Sequence, residues 1–158
     1  MKVELLQSTP AFGALNDDAV TFLLGLTATR HVAAGEFVVR EGDEASCLYI
    51  VETGEMSVLK GWDGEEVLLG RLRSGDCFGE LALMDPGPRS ASVRADTDCT
   101  LLELPHAALA DLWERDPAQF TLLQMNLARE ICRRLRRADE RLFELSMLHE
   151  GQPPSGMG

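Results

Sequence analysis

The stretch Phe78-Gly79-Glu80-Leu81-Ala82-Leu83-Met84-Asp85-Pro86-Gly87-Pro88-Arg89-Ser90-Ala91-Ser92-Val93 breaks an otherwise regular β pattern. Gly79 follows a strand end and opens one helical turn, Glu80 to Met84. Pro86, Gly87 and Pro88 stop that turn sharply, and the next strand starts at Ser90 or Ala91. A short helix start inside a barrel aims unpaired N–H groups at the interior, where they favour an anion. Arg89 leaves the loop beside them and can fork two N–H groups onto the same anion. Ser90 adds a hydroxyl and a backbone amide. Glu80 suits a different part of a ligand, because a carboxylate repels phosphate yet accepts hydrogen bonds from a sugar hydroxyl. A carboxylate and a guanidinium nine residues apart can read a sugar and a phosphate joined in one compact molecule. The plainer account of the same residues is a shaped turn with a surface ion pair, which is worth little.

On both sides of this stretch, residues 28–104 carry glycines at 35, 42, 54, 64 and 75 with short β-rich runs between them. These runs are Phe37-Val38-Val39, Leu48-Tyr49-Ile50-Val51, Met56-Ser57-Val58-Leu59 and Val67-Leu68-Leu69, followed by Ala91–Ala95 and Thr100–Leu104. Strands of that length and spacing imply a small antiparallel barrel or sandwich, and Trp62-Asp63-Gly64 reads as a hairpin tip. Residues 1–27 form a helical segment in which Asn16 caps a helix beginning Asp17-Asp18. After the β zone, residues 105–149 are helical. Pro105 is expected at a first helical position, Ala107 to Glu114 make a short helix, and Asp116-Pro117 starts a long one. Residues 150–158, rich in Gly and Pro, read as a disordered tail, so the whole is one domain.

The long helix carries Ile131, Leu135, Ala138, Leu142 and Leu145 at alternating spacings of four and three. Such a seam docks on its own barrel or pairs with a second copy, and the heptad rhythm favours a parallel homodimer. Arg133, Arg134, Arg136 and Arg137 crowd the same helix as a solvated face, with Arg134 the candidate to reach the ligand or Glu80.

The chain has 158 residues and a formal charge of −11, which leaves no electrostatic footprint for nucleic acid over most of the surface. No apolar run approaches the roughly 20 residues that span a bilayer, and no signal-peptide core follows Met1 and Lys2. Cys47, Cys77, Cys99 and Cys132 lie far apart, as do His31, His106 and His149, so neither a metal site nor a disulfide scaffold is indicated. The expectation is a cytoplasmic protein with no metal and no cofactor. No nucleophile–base pair stands near Ser90 or Ser92, so no enzyme is indicated either.

At residues 78–93 the sequence resembles the phosphate-binding cassette of cyclic nucleotide-binding domains, the family of the cAMP-dependent protein kinase regulatory subunits and the bacterial catabolite activator. The turn at Gly42-Asp43, the run ending at Gly54 and Ser74-Gly75-Asp76 match it too, and the likeness covers about residues 8–145. The resemblance implies a mainly β fold, an antiparallel β-roll or jelly roll (a double-stranded β-helix) with N-terminal helices and a long C-terminal helix. It implies that Arg89, Ser90 and the amide of Ala91 hold the cyclic phosphate. Gly79 and Glu80, with Leu81 beside them, hold the ribose hydroxyl, and Val58, Leu69 and Gly70 face the base. Where the catabolite activator presents a Thr-Ser pair to adenine, this chain carries Ala138 and Asp139, and Asp139 can accept from the adenine amino group. The implied function is a non-enzymatic sensor of cAMP, ahead of cGMP, that signals through its C-terminal helices to an effector or an output domain. Activators continue from the long helix into a helix-turn-helix; this sequence stops in its tail, so direct contact with nucleic acid is not expected. The alternatives are a degenerate copy of the fold serving protein interaction or dimerisation, and a sensor of a cyclic dinucleotide.

Overall fold

The computed structural model describes residues 2–151; most of the expected tail lies outside them. Two helices lead the chain, α1 (Lys2–Ser8) and α2 (Asp17–Gly25). The Asn16 side chain accepts a hydrogen bond from the Ala19 amide at 2.8 Å, the cap that the Asn-Asp-Asp sequence implied. Eight strands follow: β1 (Ala28–Val32), β2 (Phe37–Val39), β3 (Cys47–Thr53), β4 (Met56–Trp62), β5 (Glu65–Leu72), β6 (Cys77–Phe78), β7 (Ser92–Ala95) and β8 (Cys99–Pro105). They form two four-stranded antiparallel sheets, ordered β1-β8-β3-β6 and β2-β7-β4-β5. Strands that alternate between two facing sheets make a jelly roll, so the expected fold class holds.

The turn chemistry follows the sequence. Asp63 and Gly64 both take positive φ, 52° and 80°, the twist-matched geometry that a two-residue hairpin between β4 and β5 requires. The interior of the roll is filled by Val32, Val51, Met56, Val93, Ala95 and Leu101, all inward positions of alternating strands.

A second apolar cluster lies between the β1–β8–β3–β6 sheet and the helices. Leu48, Ile50, Leu102 and Leu104 from the sheet meet Leu6, Phe12 and Leu23 from the N-terminal segment. The helices α4 (Ala107–Arg115) and α5 (Pro117–Glu150) add Leu109, Leu112, Leu123 and Leu127 to it. Asp116 caps α5 through the Gln119 amide at 3.2 Å, with Pro117 in the first turn, and Asn126 ties α5 to the carbonyls of Ala11 and Gly13.

One local expectation fails. Pro105 does not begin a helix; it is the last residue of β8, opposite Cys47 across the β3–β8 ladder, and α4 starts at Ala107 after His106. The ladder holds Pro105 extended, and a proline at a strand end loses no needed N–H.

Candidate ligand site

The inserted stretch between β6 and β7 folds as a short helix, α3 (Leu81–Met84), with Glu80 at its N-cap position, and then a Pro-rich loop. The loop is pinned from outside by the turn after β2. Gly42 N–H donates to the Arg89 carbonyl and Arg89 N–H donates to the Asp43 carbonyl, both at 2.8 Å. Lys60 of β4 donates to the Ser90 carbonyl at 2.8 Å while pairing with Glu41 at 3.0 Å. The backbone on either side of the Arg89 side chain is thus fixed before any ligand arrives.

Arg89 turns inward and is 8% exposed. Its Nη2 donates to the Cys47 carbonyl at 2.9 Å, and the guanidinium stands 5.6 Å from the centroid of the Tyr49 ring, which stacks on Phe78 at 5.0 Å. Its Nε has no hydrogen-bond partner, and among the described residues no carboxylate pairs with it. A buried cation without a counter-charge costs several kcal/mol unless something negative joins it.

Gly79 makes the close approach possible. Its φ is +87°, and a Cβ there would stand 2.5 Å from Arg89 Nη1 and 2.8 Å from the Cys47 carbonyl oxygen. Any larger residue would push the guanidinium off its seat.

Glu80 is 1% exposed, the most deeply buried acid of the site. Arg134, on α5, donates through Nη1 to Glu80 Oε1 and through Nη2 to the Cys77 carbonyl at 3.3 Å. The other carboxylate oxygen, Oε2, is buried and has no partner. Arg134 and Arg137 also lie 3.8 and 3.7 Å from Glu130 on their own helix, and the Arg134–Glu80 pair is what joins α5 electrostatically to the cassette.

A cavity of about 860 Å³ opens between these groups, inside the usual range for a small-molecule site. Ten of the eleven expected site residues line it: Val58, Leu69, Gly70, Gly79, Glu80, Leu81, Arg89, Ser90, Ala91 and Arg134. Of the two partners foreseen for Arg134, it has taken Glu80. Asp139 does not line the cavity; it is exposed on α5. Five residues past Arg134 is about 140° further round the helix, so one straight helix does not aim both side chains at the same opening.

The structure adds contributors that the sequence reading passed over. Tyr49, Arg71, Glu130 and Arg137 stand at the site, and the Cys47 carbonyl seats Arg89. A main-chain carbonyl leaves no mark on residue identity, so that contact had no signal to find. His106 was noted only as isolated; burial and the nearby Arg89 charge hold its imidazole below the usual histidine range. Among the described residues no group of three or more His, Cys, Asp or Glu side chains is placed to hold a metal ion. Nor is any described helix long and apolar enough to cross a membrane.

A jelly roll with a helical insert, a buried inward arginine and a buried carboxylate defines a binding module for a small anionic ligand. Residues 29–116 match the model of the cyclic nucleotide-binding domain, and the chain belongs to that family. It is 34% identical over 142 residues to the cyclic AMP receptor protein of Thermus thermophilus, covering 89% of this chain and 64% of that one. A solved catabolite activator protein of Thermus thermophilus superposes with a TM-score of 0.77 at 35% identity, over 87% of this chain and 63% of that one. The regulatory domain of the Toxoplasma gondii cAMP-dependent kinase, solved with cAMP, gives a TM-score of 0.67 at 33% identity, over 70% and 42% respectively. The chain therefore spans less than two thirds of the length of these relatives.

Proposed function

We propose that this chain is a non-enzymatic sensor of a cyclic purine mononucleotide, cAMP ahead of cGMP, that passes the binding signal through α4 and α5. The observation that carries it is Arg89, buried, held in position by the Cys47 carbonyl, and without a counter-anion among the described residues beside an open cavity. The exocyclic phosphate of the nucleotide supplies that missing charge, with Ser90 and the Ala91 amide completing the cradle. The unpartnered Oε2 of Glu80 accepts from the ribose 2′-hydroxyl, next to Gly79 and Leu81. Val58, Leu69 and Gly70 face the base. The preference for cAMP is supported by the relatives named for cAMP, and Ser90 is compatible with either purine.

Because Arg134 shares Glu80 with the ligand hydroxyl, occupancy changes a polar tie between cassette and long helix. Coupling of that kind is typically worth about 1–3 kcal/mol. The exposed seam of Leu135, Leu142 and Leu145 supports a parallel homodimer as the form that receives the signal. The effector, an unidentified protein or an output domain, lies beyond these residues; nothing in them is proposed to touch nucleic acid or membrane. Four free cysteines fit a reducing, cytoplasmic setting.

Calorimetry with cAMP, cGMP and a cyclic dinucleotide tests the reading directly. The expected result is saturable binding of cAMP, strongest of the three. Arg89→Ala should weaken it at least about tenfold, since a charge-assisted bond is worth roughly 1.5–3 kcal/mol. Unchanged affinity in an Arg89→Ala protein that melts normally would overturn the assignment. Binding of none of the three would favour an interaction module instead.

A further inference from the structure

The turn after β2, residues 40–43, grips the exit of the cassette on successive residues. Gly42 and Asp43 hold the Arg89 main chain by its carbonyl and its amide, each at 2.8 Å. The Glu41 amide donates to Ser92 Oγ at 2.8 Å. The Glu41 carboxylate accepts from Lys60 Nζ at 3.0 Å and from the Gly61 amide at 2.9 Å. Lys60 Nζ donates in turn to the Ser90 carbonyl at 2.8 Å. The Gly61 amide, and then Lys60, hold the Glu41 carboxyl below the usual carboxylate range, so the pair stays charged through neutral pH.

Neither Glu41 nor Lys60 lines the cavity, whereas Ser90 and Ala91 both do. The peptide that joins Ser90 to Ala91 is trans, and the C=O and N–H of a trans peptide point to opposite sides. With the Ser90 oxygen drawn to Lys60, the Ala91 N–H of the same plane is turned the other way. Ala91 precedes β7, and none of the turn, loop or side-chain hydrogen bonds among the described residues uses that N–H.

We propose that Lys60, fixed by Glu41, is a positioning residue of the ligand site: by holding the Ser90 carbonyl it aims the Ala91 amide into the cavity, at the anion that Arg89 takes. The inference rests on the nucleotide reading above and adds the pair that presets its phosphate cradle. Lys60 and Glu41 are 50% and 37% exposed, and an ion pair so exposed adds little stability by itself. Their work is to fix one peptide plane. A plane left free at the end of a loop is ordered at the ligand's expense, and a plane held beforehand removes that cost from binding.

Two plainer roles compete with this one: Lys60 as a positive charge that attracts the phosphate from a distance, and Lys60 as a strut for the fold. A charge acts on the whole phosphate and is screened by salt. A strut acts on every ligand alike. An aimed amide acts on one phosphate oxygen, so the three roles part on ligands whose two exocyclic oxygens differ.

The test is calorimetry of the whole chain with cAMP and with its two phosphorothioate diastereomers, each of which replaces one exocyclic oxygen by sulfur, a weaker acceptor. Lys60→Met keeps the alkyl stem and loses the donor. Its affinity for cAMP should fall about three- to tenfold, the scale of one hydrogen bond. The diastereomer with oxygen at the amide should lose as much, and the one with sulfur there should lose little, so the ratio of their dissociation constants changes by a similar factor. An unchanged ratio, or a loss that disappears at about 1 M salt, where the Debye length is about 3 Å, overturns the role of Lys60 and leaves the nucleotide reading standing. Failure of the wild-type protein to bind any of the three ligands overturns both. Lys60 is half exposed, so the variant should melt as the wild type does. Should it unfold instead, Glu41→Ala, which leaves the lysine in place and frees it from the turn, takes the same test with the same expected change in ratio, and an unchanged ratio again overturns the proposal.

Discussion

The cassette and the outer half of α5 answer opposite demands. Between Phe78 and Val93 the polar groups are fixed by neighbours: Glu80 by Arg134, Arg89 by Cys47 and by the Gly42–Asp43 turn, Ser90 by Lys60. From Leu135 onward the described residues of α5 are exposed, with Leu135, Leu142, Phe143, Leu145 and Leu148 at 60–71%. The first half of α5 behaves differently again, burying Leu123 and Leu127 almost completely. A site that must recognise a small anion is preorganised by its own chain. A surface that must report occupancy is left unsatisfied, so that another body can complete it.

Each region carries a cysteine, and chemical labelling turns the contrast into a number. Cys77, at the entry to the cassette, is pushed up to about 11 by burial, whereas Cys132 lies exposed on α5. At pH 8, a thiol with pKa near 11 holds roughly 240-fold less thiolate than a free cysteine of about 8.5. In single-cysteine variants an aromatic disulfide reagent should therefore modify Cys132 at least about a hundredfold faster than Cys77. Comparable rates would mean that the cassette opens to solvent far more often than its packing implies. The Cys77 titration also bears on stability. A folded-state value above the unfolded one stabilises below about pH 8.5 and loses that contribution as pH rises toward 11.

Gly79→Ala breaks the cassette without touching α5. The new Cβ meets backbone and guanidinium at under 3 Å in a conformation that alanine resists. Cyclic nucleotide affinity should fall by about a hundredfold, on the scale of one lost charge-assisted contact. The melting temperature should drop by several degrees, because positive-φ strain of this kind costs about 1–3 kcal/mol. Titration calorimetry paired with a melting curve separates the two effects, and full affinity would show that the guanidinium can be seated another way.

How far the sequence discloses this molecule depends on the range over which each feature is encoded. Asn16, Asp63-Gly64 and Asp116-Pro117 act within a few residues, and all three do in the structure what their chemistry implies. The cassette is legible for the same reason, its glycine, carboxylate and arginine lying in one continuous string. Pro105 misleads because its partner, Cys47, is 58 positions earlier and the ladder overrules helix-start preference. The strand β1, Ala-Thr-Arg-His-Val, lacks an apolar alternation and exists through its pairing with β8. The seat of Arg89 is made by a main-chain carbonyl, which every sequence contains. Asp139 was placed by resemblance, and only the turn of the helix reveals that it faces elsewhere.

The seam on α5 gives the smallest and most selective effect. Leu142→Asp puts a charge in the middle of the exposed apolar face, about two turns past Arg134, where no described side chain packs on it. Because Leu142 is already 62% exposed, the isolated fold should lose less than about 0.5 kcal/mol, as surface substitutions do. A parallel pair would instead bury two aspartates against each other, and dimer dissociation should strengthen by at least about tenfold on the scale of one desolvated polar group. Sedimentation across micromolar concentrations reads the association, and the melting curve at low concentration reads the fold. If the pair survives the charge, the seam at Leu135, Leu142 and Leu145 is not where two copies meet. If instead the monomer itself melts early, the outer half of α5 is docked, and the separation between a self-completed cassette and an uncompleted helix disappears.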